Sequence, residues 1–384
     1  VHLPRDRREV EWWLIHRAIA IGEEVPYARG GIFDLWPGRR AQTEQWTFGL
    51  EFEFGAADTH WVAAELHARG LGASAEPGVY HGGRAEGFWS VEQDRSVSTV
   101  FSCDRGGPPI VVGGEVISPP LHDSPEAWDQ IAVVLDVLRD CGAQINQQCG
   151  LHVHIGTSAF RSAAGIRPHH GEAERALLPA LSRLAILASV CFEDLIFRMA
   201  SAEGGWHRGR AVYYRHCRPL ERPLPPRSES LAELALALGR PGAERHAALN
   251  LTNIGDPQKD TVEFRQCNGT LDGRVVQAFC RLCAALVGAA CWYPEAVRLA
   301  PEPLGRHLAQ EEASQAWAAE RERSAAPVSS TPDAGDDAAS LWRFLAAVCP
   351  EGVPVEAAAS LLWLFRRGRW QPSLATLAGA PFHA

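Results

Sequence analysis

The chain has 384 residues, 46% of them hydrophobic, with 37 Lys and Arg against 46 Asp and Glu, a formal net charge of -9 and a pI of about 5.9. That balance excludes a nucleic-acid binder, which needs a basic footprint to displace counterions from phosphate. Lys259 is the only lysine and no GxxxxGK segment exists, so a P-loop is excluded and any phosphate must be held by arginine, metal ions or backbone amides.

In chain order, Arg7 to Ile21 reads as an amphipathic helix, with Val10, Trp13, Leu14 and Ala18 at helical spacing. Its charges, Arg5, Arg7, Arg8, Glu9 and Glu11, are unlike a signal peptide. A Gly/Pro-rich stretch follows, and from Trp46 the apolar period becomes two. Asp58 then caps a helix to Arg69. Strands are predicted at 88–92, 99–103 and 110–117. Ser124-Pro125-Glu126 opens a helix through Asp140, with Ser as cap and Pro at the first helical position. A strand at 150–155 leads to a long helix over 172–202, then an Arg-rich loop from Trp206 to Arg227. A helix at 230–238 precedes strands at 247–254 and 261–267, and a long helix runs from Thr270 to about Leu299. The remainder is Ala-rich and helical around a low-complexity stretch, Ser324 to Asp337.

Strands separated irregularly by helices predict an α+β fold with a mostly antiparallel sheet. The expected division is an N-terminal helical segment (1–45), a catalytic core (46–300) and a helical C-terminal extension packed on it (301–384). The longest uncharged apolar run, Leu282 to Pro294, is too short to span a bilayer. The ten cysteines lie mostly in apolar runs, including a lone CxxC at Cys280 and Cys283, where a thiol serves as a small hydrophobe. The reading is a cytoplasmic, reduced, soluble protein without a membrane partner.

The chemistry concentrates on the strands. In Trp46-Thr47-Phe48-Gly49-Leu50-Glu51-Phe52-Glu53-Phe54 every even position is apolar, so Glu51 and Glu53 project from one face, ~6.6 Å apart along the strand. His152 and His154 share a face within Leu151–Ile155, and Thr261, Glu263 and Arg265 share one within 261–265. Glu115 stands alone in a β-branched run beside Gly113 and Gly114. Strands of one sheet lie under ~5 Å apart, so these side chains can meet on a common floor. Carboxylates are hard ligands suited to magnesium or manganese, an imidazole is compatible with them, and cations would relieve their mutual repulsion. Arg265, beside Glu263, is placed to meet a transferring phosphoryl group.

Gly49-Leu50-Glu51-Phe52-Glu53, Gly114-Glu115-Val116-Ile117-Ser118-Pro119-Pro120, Cys149-Gly150-Leu151-His152-Val153-His154 and Val262-Glu263-Phe264-Arg265 with Gly269-Thr270-Leu271-Asp272 together resemble the amidoligase family, relatives of glutamine synthetase and glutamate–cysteine ligase. The resemblance covers about residues 46 to 290. It implies a curved, mostly antiparallel sheet of the glutamine-synthetase type and an ATP- and Mg2+- (or Mn2+-) dependent ligase. Such an enzyme joins a carboxylate-bearing small molecule or peptide to an amine through an acyl phosphate. Glu51, Glu53, Glu115, His152 and Glu263 would ligate two or three metal ions, and Arg265, with Glu115 through its metal, would engage the nucleotide. Asp94 would hold metal or take a proton from the amine. His154 would bind substrate or pack, Arg215 would meet the substrate carboxylate, and Asn250 would touch substrate or satisfy a strand edge. Two other readings stand beside it. A cupin-type oxygenase or isomerase would use His152 and His154 on iron, although Gly156-Thr157-Ser158-Ala159-Phe160 lacks the Glu expected after such a pair. A non-catalytic nucleotide- or peptide-binding protein would share the fold.

Overall fold

The computed structural model describes residues 30–78, 85–94, 96–97, 99–101, 110–146, 148–163, 173–200, 217–218, 220, 224–225, 228–256, 259–299, 344–345, 347–348 and 355–367. The helix expected from Arg7 to Ile21 and the stretch from Ser324 to Asp337 fall outside these residues. In chain order the elements are α1 (Arg40–Thr43), β1 (Thr47–Asp58), α2 (Thr59–Ala68), β2 (Ser90–Glu92), β3 (Thr99–Phe101), β4 (Ile110–Ile117), β5 (Leu121–His122) and α3 (Pro125–Asp140). There follow β6 (Gly150–Gly156), α4 (Ser158–Ala163), α5 (Ala173–Ile186), α6 (Glu193–Ala200), α7 (Leu231–Leu238), β7 (Leu249–Asn250), β8 (Thr261–Asn268), α8 (Gly273–Trp292) and α9 (Val355–Arg367).

These strands build one open sheet in the order β2-β4-β1-β6-β8-β7, with β3 added to β4 and β5 to β1. Every strand pairing in it is antiparallel. Helices start where a polar side chain satisfies an otherwise free N–H. Asp58 accepts from His60 N at 2.8 Å, Ser124 from Ala127 N at 3.3 Å, Ser230 from Glu233 N at 3.2 Å and Asp272 from Arg274 N at 2.9 Å.

Two predicted elements come out differently. The helix expected over 172–202 is split by a π turn at Leu187–Cys191, between α5 and α6. The strand expected over 247–254 is reduced to two residues, because Asn250 Oδ1 accepts from Thr252 N at 2.9 Å and turns the chain out of the ladder.

The central strand shows why the sheet has one dry and one polar face. Phe48, Leu50, Phe52 and Phe54 are buried on one side of β1, and aromatic partners from flanking elements fix them there. Trp46 stacks on Trp292 of α8 at 5.0 Å, Phe48 on Trp128 of α3 at 5.5 Å and Phe52 on Trp89 at 6.3 Å. Each such pair adds about 0.5–1.5 kcal/mol beyond its buried area. A slip of one residue would turn Glu51 and Glu53 into this core, so the stacks that stabilise the fold also set the direction of the carboxylates.

Close packing at the end of α8 depends on Gly288, where an added Cβ would lie 2.1 Å from the Trp36 ring. Of the described helices, α8 is long and apolar enough to cross a membrane by length and composition, with mean hydropathy 1.7, but 89% of that window is buried in the protein. Cys280 and Cys283 lie within it, and burial pushes both thiols well above their ordinary range. Leu361, Leu364 and Phe365 of α9 are buried, and α9 packs on α6 and α8.

Candidate active site

The register places acidic and imidazole side chains directly opposite one another on the polar face. Glu53 faces Glu115 across β1 and β4, and Glu115 in turn faces Glu92 of β2. Glu51 faces His152 across β1 and β6, His154 faces Glu263 across β6 and β8, and Glu263 faces Asn250 of β7. One irregularity matters. Leu151 pairs with Cys267 but Val153 with Phe264, so β8 carries one residue more than β6 there, and Arg265 and Gln266 together stand opposite His152. Such a bulge bends a strand and re-aims its side chains.

The floor that results is buried, with Glu51, Glu53, Glu115, His152, His154, Glu263 and Asp94 each less than 9% exposed. His152 Nδ1 lies 3.0 Å from Glu51 Oε2 and 3.6 Å from Glu263 Oε1, and its Nε2 lies 3.4 Å from Glu53 Oε1. Glu51, His152 and Glu263 offer ligand atoms within 4.8 Å of one another. Supporting residues hold these carboxylates. Gly150 N donates to Glu53 Oε2 at 2.5 Å, while Asn250 and Asn253 amides donate to Glu263 Oε2 at 2.6 and 3.0 Å. The Arg265 guanidinium pairs with Glu263 Oε1.

Above this floor opens a cavity of about 1070 Å³, whose walls include Asp94, Arg245, His246, Lys259 and Arg265. Asp94 accepts from Ser96 N at 2.8 Å and from Ser96 Oγ at 2.7 Å, so both its oxygens are engaged locally. Arg215 falls outside the described residues.

Residues 44–173 match an amidoligase family. The family is described as "Putative amidoligase enzyme", and the match covers about a third of the chain, including Glu51, Glu53, Glu115, His152 and His154 but not β8. No curated protein matches. Among solved structures, a bifunctional glutathione synthetase from Pasteurella multocida is similar at TM-score 0.44 and 12% identity, over 86% of this chain and 47% of that one. The chain thus spans about half the length of that structure, and a likeness so distant identifies no activity.

Electrostatics divide the floor in two. Burial opposes ionisation of Glu51, but the charge of His154, the hydrogen bond from His152 and the Lys259 ammonium hold its carboxyl well below the ordinary range. Glu263 is likewise buried, and Arg265 and then His154 bring it down to about 2. Glu115 goes the other way. Burial first, then the charges of Glu51, Asp94, Glu53 and Glu92, push it well above the usual carboxylate value. For the Arg265 guanidinium, burial is outweighed by Glu263, Glu53 and Glu51, which hold it firmly charged.

Sequence reasoning missed several residues of this site. Lys259, noted there only as the single lysine, reaches Glu51 Oε1 at 3.4 Å, and Asn253 and Glu92 join the same cluster. The chain between β7 and β8 that carries Lys259 is pinned by Asp260. Its carboxylate accepts from Gly255 N at 2.9 Å, Thr157 Oγ1 at 2.7 Å and Arg161 at 2.6 Å. Burial works against that carboxylate, yet these donors hold it below its ordinary value.

Asp260→Asn is therefore expected to cost about 1–2 kcal/mol in urea unfolding at neutral pH. A group with a lowered folded pKa stabilises above its unfolded value of about 4 and loses that contribution as pH falls through the folded one. The gap between wild type and variant should accordingly shrink below about pH 4.

Proposed function

We propose that the chain is an ATP-dependent carboxylate–amine ligase, with a catalytic core over 46–300 built on a sheet of the glutamine-synthetase type. The observation that carries this reading is the convergence of Glu51, Glu53, Glu115, His152 and Glu263 beside Arg265 at the floor of one large cavity. The family match over 44–173 supports a ligase of this general kind.

The donor set fits hard divalent cations. It is rich in carboxylates with one compatible imidazole, the buried Nε2 of His152 faces Glu53 without a hydrogen bond, and burial with neighbouring carboxylates makes Glu115 resist ionisation. Glu51, His152 and Glu263 would hold one ion; Glu53 and Glu115, with Asp94 nearby, would hold another. Bound Mg2+ or Mn2+ supplies charge neutralisation for the nucleotide phosphates. With its oxygens engaged by Ser96, Asp94 suits this supporting role better than that of a proton acceptor for the amine.

In the first step an oxygen of the substrate carboxylate attacks the γ-phosphorus as the bond to ADP breaks, giving an acyl phosphate. Arg265 presents its fork to the transferring group, and its pairing with Glu263 fixes it in place. The amine nitrogen then attacks the acyl carbon. The C–N bond forms as the C–O bond to phosphate breaks, and the nitrogen gives its proton to the departing phosphate. Arg245 and His246, on the cavity wall, are the described groups suited to a substrate carboxylate, alongside Arg215. Asn250 acts by positioning, since its amide donates to Glu263 and its oxygen accepts from Thr252.

The test is a screen of amino acids, peptides and amines for ATP-dependent phosphate release, with mass spectrometry of the product. The expected result is ADP, phosphate and a condensed product in equal amounts, the product having lost one water. Tightly held iron on purification, with no ATP dependence, would favour the cupin-type reading instead.

A further inference from the structure

A second, smaller chamber of about 250 Å³ lies on the other side of Glu51. Among the described residues, only Glu51 and Lys259 belong to the walls of both cavities, so the ion pair between them, 3.4 Å from Nζ to Oε1, is the partition. The volume equals the liquid share of roughly eight water molecules, too little for a nucleotide and enough for a small substrate.

Its polar lining is mostly self-satisfied. Arg161 and Asp260 neutralise each other at 2.6 Å, Thr261 Oγ1 meets His154 Nδ1 at 2.9 Å, and Ser118 Oγ accepts from Leu50 N at 2.8 Å. What remains lies at the partition. His154 Nε2 is buried without a hydrogen bond, 3.3 Å from Glu51 Oε1, and that same oxygen faces the Lys259 ammonium. The wall thus already seats a primary ammonium on an alkyl stem, the one belonging to the chain's only lysine. Two residues from Glu51 on β1, Gly49 leaves the chamber wall bare, and a Cβ there would make only ordinary contacts, 3.5 Å from His154 Cβ and 3.6 Å from Ser118 Oγ.

We propose that this chamber seats the amine substrate, a primary amine of roughly eight non-hydrogen atoms or fewer, and that Lys259 holds the amine's place at Glu51 until it binds. The assignment rests on the ligase reading and deepens it. A nucleotide and acid in the large cavity would meet the amine across the Glu51 partition, from the side away from the phosphates.

The test is ligand-observed NMR on the full chain with methylamine, ethanolamine, glycine and putrescine, run beside a Mg–ATP titration. At least one amine should bind wild type. Gly49→Leu, which fills the chamber, should weaken that amine tenfold or more while leaving Mg–ATP affinity within twofold. Gly49→Ala, which adds a methyl at ordinary contact distance, should weaken the larger amines more than methylamine, and keeps the test open should the leucine variant misfold. Lys259→Ala, by removing the built-in ammonium, should tighten amine binding severalfold. Failure of all four amines to bind, equal binding by the Gly49 variants, or weaker binding by Lys259→Ala overturns the chamber assignment. Failure of Mg–ATP to bind wild type instead overturns the ligase reading, so the two failures are separable.

Discussion

Arg265→Ala is expected to lower ATP-dependent phosphate release by roughly 1,000-fold, with the fold retained. The guanidinium pairs directly with Glu263 on the floor, and its fork is what a spreading phosphoryl charge requires. Arg265→Lys keeps the charge but loses the planar fork, so it should recover only a small part of the rate. A structural readout separates this role from mere packing. Glu263, held down to about 2 largely by Arg265 against the opposition of burial, contributes stability above its ordinary value of about 4.3, and this is lost as pH falls toward 2. The alanine variant should therefore melt lower than wild type at neutral pH and converge with it near pH 2. Wild-type phosphate release by the alanine variant would remove Arg265 from the mechanism.

Glu115→Gln should lower magnesium affinity by at least about 100-fold, the upper end of what losing even a supporting residue costs. Burial and four neighbouring carboxylates hold the Glu115 proton on well above the usual range, so a cation must displace it. Magnesium affinity of wild type should rise with pH through that raised value, and the dependence should flatten in the variant. The sign for stability follows. A carboxyl with a raised folded pKa makes the metal-free protein less stable as pH climbs from the ordinary value to the raised one. Without metal, the glutamine variant should accordingly be as stable as wild type or more so, while wild type gains more melting temperature than the variant on adding Mg2+. Calorimetric melting at several pH values, with and without Mg2+, checks both parts.

Much of this site could be read from alternation alone. Glu51 and Glu53 face one way because Phe48, Leu50, Phe52 and Phe54 face the other, and the same holds for His152, His154 and Glu263. Polar caps at Asp58 and Ser124 were equally legible, since the signal lies within four residues of the helix start. Features created by distant contacts were not. The extra residue in β8 opposite His152 shows in the sequence only as Gln266 where alternation calls for an apolar residue, a break that the pairing with β6 alone identifies as a bulge. Neither glycine nor proline marks the π turn at Leu187–Cys191. Lys259 meets a glutamate 208 positions away, and nothing near it in the chain points there. Asn250 and Asn253 read as residues of a strand over 247–254, and only the fold shows their amides on Glu263. The strand beginning at Leu249 was overestimated because apolar alternation continues past Asn250, while the bond from Thr252 N to its side chain had no weight in a periodicity argument.

The central proposition is that carboxylates from β1, β4 and β8, with His152 of β6, hold divalent ions against a nucleotide. Titration of the purified chain with Mn2+, followed by electron paramagnetic resonance with and without ATP, tests it without reference to turnover. Tight Mn2+ binding is expected, strengthened by ATP, and Glu51→Gln combined with Glu263→Gln should remove at least one bound ion per folded chain. Absence of Mn2+ binding, or binding that the double variant leaves unchanged, would contradict it.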